Sequence, residues 1–454
     1  MAERSFDVVV VGGGPAGEVC AGRLGDGGLE VALVEEHLVG GECSFYACMP
    51  SKALLRPGEL LAEVRRIPGV REAVTGDLDA RAVLERRNEI IHDLDDSGME
   101  PWLANHHVTL VRGQGRLDGE RRVIVGDDVL TAGRAVVVAT GSAALVPPIE
   151  GLADAKPWTN REVTTAREVP GRLAILGGGV VGVEMAQAWS SLGSEVTLVE
   201  ALERVLAREE PFASEEVATG LRERGVDVRL GAKASGVRAG DGEVELELET
   251  SDSVRADELL VAIGRRLRTD ELGLETVGLE PGEPIQVDDQ MRANDWLYAI
   301  GDVNGRVLLT HMGKYQGRVA ADVILGKDAR ALSDDERSPR VIFTDPQVAA
   351  VGYTLDGARK AGLNARAVDV PTQSAAGASF YGRDDAPGTS RLVVDEDRRV
   401  LVGATFTGIE VNEWLQAATI AVIGEVPLDR LAHAVPSFPT RSEVWLYLLE
   451  SYGL

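Results

Sequence analysis

The chain opens on an apolar run, Val8 to Val11, that follows Asp7 and stops at Gly12-Gly13-Gly14-Pro15-Ala16-Gly17. A helix-forming stretch then runs through Leu24, and a second apolar run, Val31 to Val34, ends on Glu35. Short continuous apolar runs bounded by turn residues are the pattern of strands buried on both faces, so these positions predict a strand–helix–strand unit with parallel strands. The pattern recurs later: strand Leu173 to Leu176, turn Gly177-Gly178-Gly179-Val180-Val181-Gly182, helix Val183 to Leu192, and strand Val196 to Val199 ending on Glu200. Between the two units, residues 53–105 read as helical and charged. Arg134 to Ala139 returns to strand and stops at Thr140-Gly141-Ser142. A strand from Val254 to Ile263 ends at Gly264-Arg265-Arg266, and Trp296 to Val303 reads as a strand rejoining the first unit. The polar stretch 328–339 marks a boundary, after which Arg340 to Gln347 opens a last α+β segment.

Each glycine turn is a dinucleotide fingerprint in its proper context, after a strand and opening a helix. Gly12 and Gly177 permit the tight turn, Gly14 and Gly179 let the backbone approach a pyrophosphate, and Gly17 and Gly182 let helix and strand pack closely. The helix-start N–H groups would hold the pyrophosphate, and Glu35 and Glu200 would accept from ribose hydroxyls. Two such sites imply two dinucleotides. Between them lies Gly40-Gly41-Glu42-Cys43-Ser44-Phe45-Tyr46-Ala47-Cys48-Met49-Pro50-Ser51-Lys52. Thiols this close can open and close a disulfide with little chain movement, and a helix starting near Cys48 would favour its thiolate through the positive end of the helix dipole.

The segment from Gly40 to Lys52 resembles the GG-x-C-x4-C-x-P-S-K element of the class I pyridine nucleotide-disulfide oxidoreductases, which include dihydrolipoamide dehydrogenase, glutathione reductase and mercuric reductase. The resemblance runs in order over nearly the whole chain. It implies an α/β fold of two Rossmann-like domains, for FAD and NAD, with a C-terminal α+β dimerisation domain. The expected division is residues 1–150 for the first part of the FAD domain, 151–270 for the NAD(P) domain, 271–335 for the second part of the FAD domain, and 336–454 for dimerisation. Thr140, Gly141 and Asp302 resemble the residues that close the FAD site, with Asp302 on the ribitol. NADP-selective relatives carry arginine where this chain has Glu200 and again six residues on, where it has Leu206. NADH is therefore expected, while Arg204 leaves NADPH open. The implied route takes electrons from NADH through FAD to the Cys43–Cys48 disulfide and on to a small-molecule acceptor. Cys48 would face the flavin, Cys43 would attack the acceptor, and both thiol pKa values should be lowered. Lys52 would pair with Glu184 beside the flavin; the alternative makes them a solvated cation and a surface acid. His311 reads as a packing or backbone-binding residue. The partner subunit of a homodimer would complete each active site.

The match breaks near the C-terminus. Relatives that reduce disulfides carry a His-Pro element whose histidine protonates the leaving thiol, oriented by a glutamate. Here Pro439, Thr440, Ser442 and Glu443 align, which puts Phe438 where the histidine belongs. A positioned acid–base group supplies about 10²–10⁴-fold, so lipoamide or glutathione disulfide should turn over poorly. His433 could replace it only through a rearranged loop. Phe45 and Tyr46 between the cysteines suggest either a flat apolar acceptor surface or local packing.

Composition narrows the class further. A length of 454 residues allows two to four domains, and 44% hydrophobic with 26% charged residues is ordinary for a globular protein. A formal charge of −26 argues against nucleic acid or an anionic membrane as partner. The start of the chain lacks the signal-peptide pattern and no apolar run is long enough to span a bilayer, so a cytoplasmic location is expected. Cys20, Cys43 and Cys48 are the three cysteines, with Cys20 read as a buried helix residue and no thiol pair available near the C-terminus. Metal ligands are not expected. Two other functions stay open: a dihydrolipoamide dehydrogenase or low-molecular-weight disulfide reductase with a rebuilt acid–base site, and a flavin-binding NADH redox sensor.

Overall fold

The computed structural model describes residues 3–240, 242–381 and 388–454, which fall into two compact units. The first comprises residues 1–50, 88–144 and 265–335. Its sheet is built around strand Glu3–Val11, which pairs in parallel with Val31–Glu35 on one side and Asp128–Val138 on the other. Val108–Arg112 extends the sheet beyond Val31–Glu35, Leu297–Ala299 pairs in parallel with Asp128–Val138, and an antiparallel meander of Gly115–Leu117 and Arg122–Val125 completes it. Val8, Val9 and Val10 are 0% exposed because helices and loops cover both faces, as an unbroken apolar strand requires. Each such side chain contributes about 1.5–3 kcal/mol of burial free energy. Helix Pro15–Asp26 lies on one face, with Cys20, Ala21 and Leu24 in the core beside Val319 and Ala320 of helix Thr310–Ile324.

The second unit comprises residues 51–87, 145–264 and 336–454. A parallel sheet runs in the order Asp227–Arg229, Glu195–Val199, Arg172–Leu176, Glu258–Val261. Helix Val180–Ser191 packs on it through Val183, Met185 and Trp189. An antiparallel three-stranded sheet, Ala234–Gly240, Glu243–Leu248 and Ser253–Ala256, and a five-stranded antiparallel sheet built around Val400–Gly408 complete the unit.

Two expected strands are shorter than their apolar patterns. The run from Val254 is cut at Asp257, whose carboxylate accepts from the Arg172 N–H at 2.8 Å and from its guanidinium at 2.6 Å. Residues 253–256 and 258–261 therefore join different sheets. The run from Trp296 pairs only over Leu297–Ala299, because Gly301 turns left-handed (φ +74°) and donates its N–H to the buried Gln316 amide oxygen at 2.7 Å. Among the described residues, no helix is long and apolar enough to cross a membrane.

Candidate functional site

The first glycine turn is steric necessity. Gly12 has φ +110°, and a Cβ there would lie 2.3 Å from the Ala139 carbonyl oxygen. A Cβ on Gly17 would lie 1.9 Å from the Gly12 carbonyl oxygen. By contrast, a Cβ on Gly14 meets nothing within 4 Å, and the helix that Gly14 starts has no side-chain cap and carries Pro15 in its first turn. Unsatisfied helix-start N–H groups beneath open space fit a phosphate. Glu35 braces this turn: Oε2 accepts from the Gly13 N–H at 2.7 Å and Oε1 from His37 N–H at 2.7 Å. Each oxygen keeps a lone pair for a ribose hydroxyl. These residues fit an adenine dinucleotide.

The second turn repeats the construction. Gly177 lies against the Ala262 carbonyl and Gly182 against Gly177, while Gly179 heads its helix without a side-chain cap. Glu200 accepts from Gly178 N–H at 2.6 Å and Leu202 N–H at 2.8 Å. Leu206 is a packing residue, 5% exposed, whose N–H bonds the Gly178 carbonyl at 2.9 Å. The Arg204 guanidinium turns into its own loop and donates to the Ala207 carbonyl at 2.8 Å.

Thr140 donates its hydroxyl to the Arg268 carbonyl at 2.9 Å, and the Gly141 carbonyl accepts from Arg268 N–H at 3.0 Å. Ser142 donates to the Asp302 carboxylate, and Arg265 Nε lies 2.6 Å from the Ser142 hydroxyl and 3.8 Å from Asp302. Thr140, Gly141 and Asp302 thus share one corner of the first unit, with Ser142 and Arg265 as members that the motif spacing did not single out.

The cysteine loop is mounted on the first glycine turn. Gly40 donates its N–H to the Gly13 carbonyl at 2.8 Å, and a Cβ on Gly41 (φ +57°) would lie 2.8 Å from the Gly14 Cα. Cys43 falls in a short helix, Gly41–Phe45, and Cys48 starts the long helix Cys48–Arg66. The two thiols are hydrogen-bonding neighbours, and Cys48 Sγ lies 3.4 Å from Thr310 Oγ1. Thr310 carries no motif of its own in the sequence, and the adjacent His311, which the motif order singles out, is exposed. The expectation that both thiol pKa values are lowered fails for Cys43. Its hydrogen bond with Cys48 and its burial raise it, against opposing contributions from Thr310 and Lys314. Two adjoining thiols cannot both ionise cheaply, so the pair holds one negative charge before it holds two. Phe45 resolves as packing, 4% exposed, with a ring that would lie 2.9 Å from a Cβ on Gly40.

Lys52 follows Cys48 by one turn of the same helix. Its Nζ lies 2.7 Å from Glu184 Oε2 and 4.8 Å from the centre of the Phe343 ring, and Glu184 Oε1 accepts from Phe343 N–H at 3.0 Å. Glu184 is 3% exposed and Lys52 35%. The surface-acid alternative for Glu184 is therefore excluded. Towards the C-terminus, Phe438 is 76% exposed and His433 is exposed, while Glu443 is buried with Oε2 lacking a hydrogen-bond partner among the described residues.

Comparison with known proteins gives concordant matches. Residues 6–317 match the pyridine nucleotide-disulphide oxidoreductase family and residues 338–448 its dimerisation domain. The chain is 32% identical to a dihydrolipoyl dehydrogenase of Chlamydia muridarum over 97% of this chain and 96% of that one. It is also 32% identical to a mercuric reductase of Acidithiobacillus ferrooxidans, over 97% of this chain and 81% of that one. Among solved structures it is similar to the HOCl-induced flavoprotein disulfide reductase RclA of Escherichia coli in its Cu(II) complex, with TM-score 0.86, 26% identity and coverage of 98% and 99%.

Proposed function

This chain belongs to the pyridine nucleotide-disulphide oxidoreductase family, and from that premise we propose that it is an NADH-dependent flavoenzyme whose Cys43–Cys48 pair delivers electrons to a small acceptor other than an ordinary unstrained disulfide. The carrying observation is the seat of the thiols: the loop that holds them is hydrogen-bonded to the first glycine turn through Gly40 and Gly13 and touches it through Gly41. Bound FAD supplies the two-electron chemistry that links a hydride donor to a thiol pair. Gly12, Gly14 and Gly17 shape its pyrophosphate seat, Glu35 orients its ribose, and Thr140, Gly141 and Asp302 close the site. Gly177, Gly179, Gly182 and Glu200 serve the nicotinamide nucleotide in the same way. A carboxylate at Glu200 bonds a 2′-hydroxyl and repels a 2′-phosphate, which favours NADH.

Lys52, held by the buried Glu184, keeps a positive charge one helical turn from Cys48. The Thr310 hydroxyl, at 3.4 Å, orients the Cys48 sulfur. Cys43 is the interchange thiol: its sulfur passes an electron pair to the acceptor, and the Cys48 thiolate then closes the disulfide. In total the dithiol releases two electrons and two protons. Phe438 cannot supply a proton to a leaving thiolate, which favours acceptors needing less acid help: an activated disulfide, a quinone, a metal ion or a small oxidant. Glu443 would orient the C-terminal loop of a homodimer.

The test is Cys43→Ser in the holoenzyme. Reduction of bound flavin by NADH should persist while turnover with the acceptors falls by about 10³-fold or more. Undiminished acceptor turnover would show that the thiols lie outside the electron path.

A further inference from the structure

Phe343 stands where strand Arg340–Ile342 turns back into strand Gln347–Gly352. Its backbone and its ring act on different halves of the Lys52–Glu184 pair. The Phe343 N–H donates to Glu184 Oε1 at 3.0 Å, while Lys52 Nζ donates to Glu184 Oε2 at 2.7 Å. The Phe343 ring centre lies 4.8 Å from the same Lys52 Nζ, inside the roughly 6 Å at which an ammonium group is drawn to an aromatic face. The ring is half-buried and packs against the core cluster that contains Leu54, Leu55 and Val183.

The turn that carries Phe343 is itself fixed. The Asp345 N–H donates to Gln187 Oε1 at 2.7 Å, one helical turn beyond Glu184. The Thr344 hydroxyl donates to the Pro346 carbonyl at 2.7 Å. The Asp345 carboxylate accepts from Arg66, in the last turn of the Lys52 helix, and from Arg224. All these residues lie in the second unit. Glu184 restrains Lys52 from one direction only. An ammonium group on a four-carbon stem can still swing about a single contact, and Lys52 is 35% exposed. The ring supplies the second direction.

We propose that Phe343 is a positioning residue for Lys52: its N–H fixes the counter-ion and its ring holds the ammonium group in place. The proposal deepens the function above and rests on Lys52 serving the bound flavin. There an ammonium group in a fixed position favours the more negative, reduced state of the cofactor.

Phe343→Leu removes the ring and keeps the N–H on Glu184, so it isolates the ring's part. The readout is the flavin midpoint potential, from anaerobic spectroelectrochemical titration of the holoenzyme. Lys52→Met should disfavour reduced flavin about tenfold and Phe343→Leu about threefold, while Phe343→Tyr should stay near wild type. A chemical-denaturation cycle of Lys52→Met and Phe343→Leu, singly and combined, reads the contact itself. The double variant should lose less stability than the two single losses together. Should Phe343→Leu fail to fold, Phe343→Met takes its place. Additive losses in the cycle, or a wild-type flavin potential in Phe343→Leu where Lys52→Met shifts it, would overturn the proposal. An unchanged potential in Lys52→Met would instead overturn the placing of Lys52 beside the flavin, and the proposal with it.

Discussion

Lys52 and Glu184 show how a single contact divides structure from chemistry. Glu184 is almost fully buried and both oxygens are engaged, one by Lys52 and one by the Phe343 N–H. Lys52→Met would leave that carboxylate with one partner, at a cost of about 1–3 kcal/mol. Because Lys52 is a third exposed, the lower part of that range is expected, and chemical denaturation of Lys52→Met against Glu184→Gln checks it. Phe438 works in the opposite direction: within one subunit it is 76% exposed, so Phe438→His should be neutral for the stability of the subunit fold. Its expected effect is on lipoamide turnover, a rise of about 10²-fold measured by steady-state kinetics. No rise would mean that another residue already handles the proton. The resemblance to the family implied the pairing of Lys52 with Glu184, whereas Thr310 could not be read that way, since only folding brings it to the Cys48 sulfur.

At the level of elements, the two strand–turn–helix units were legible because sterics leave few alternatives. Gly17 and Gly182 each stand 1.9 Å, at the Cβ position, from the carbonyl of the glycine that opens their turn. Gly17→Ala should therefore lose bound flavin on purification. Gly182→Ala should keep the flavin yet need far more NADH to reduce it; absorbance spectra and an NADH titration separate the two outcomes. If both variants lost flavin alike, the assignment of the turns to separate nucleotides would be wrong. Other elements hid their ends. The strand broken at Asp257 is cut by a charge pair with Arg172, distant in sequence. Helix Cys48–Arg66 runs through Pro57-Gly58, a pair that locally favours a break. Tertiary packing overrides that preference, with the backbone at Gly58 so close to Ser191 that a Cβ would lie 2.8 Å from its side chain.

For the molecule as a whole, the order of motifs along the chain carried more than any one of them. Two glycine turns, a thiol pair between them, a Gly301-Asp302 return and a dimerisation segment appear in the sequence in the order in which the family matches run. What stayed hidden is the electrostatic state of the thiols, since the fall or rise of a pKa depends on burial and on neighbours that only folding brings together. The central claim is that Cys43 and Cys48 lie in the electron path. It is tested most directly by anaerobic titration of the holoenzyme with NADH and then dithionite, following the visible spectrum. The account predicts four electrons per flavin for full reduction, with a long-wavelength thiolate–flavin band at the halfway point. Complete bleaching by two electrons without that band would contradict it.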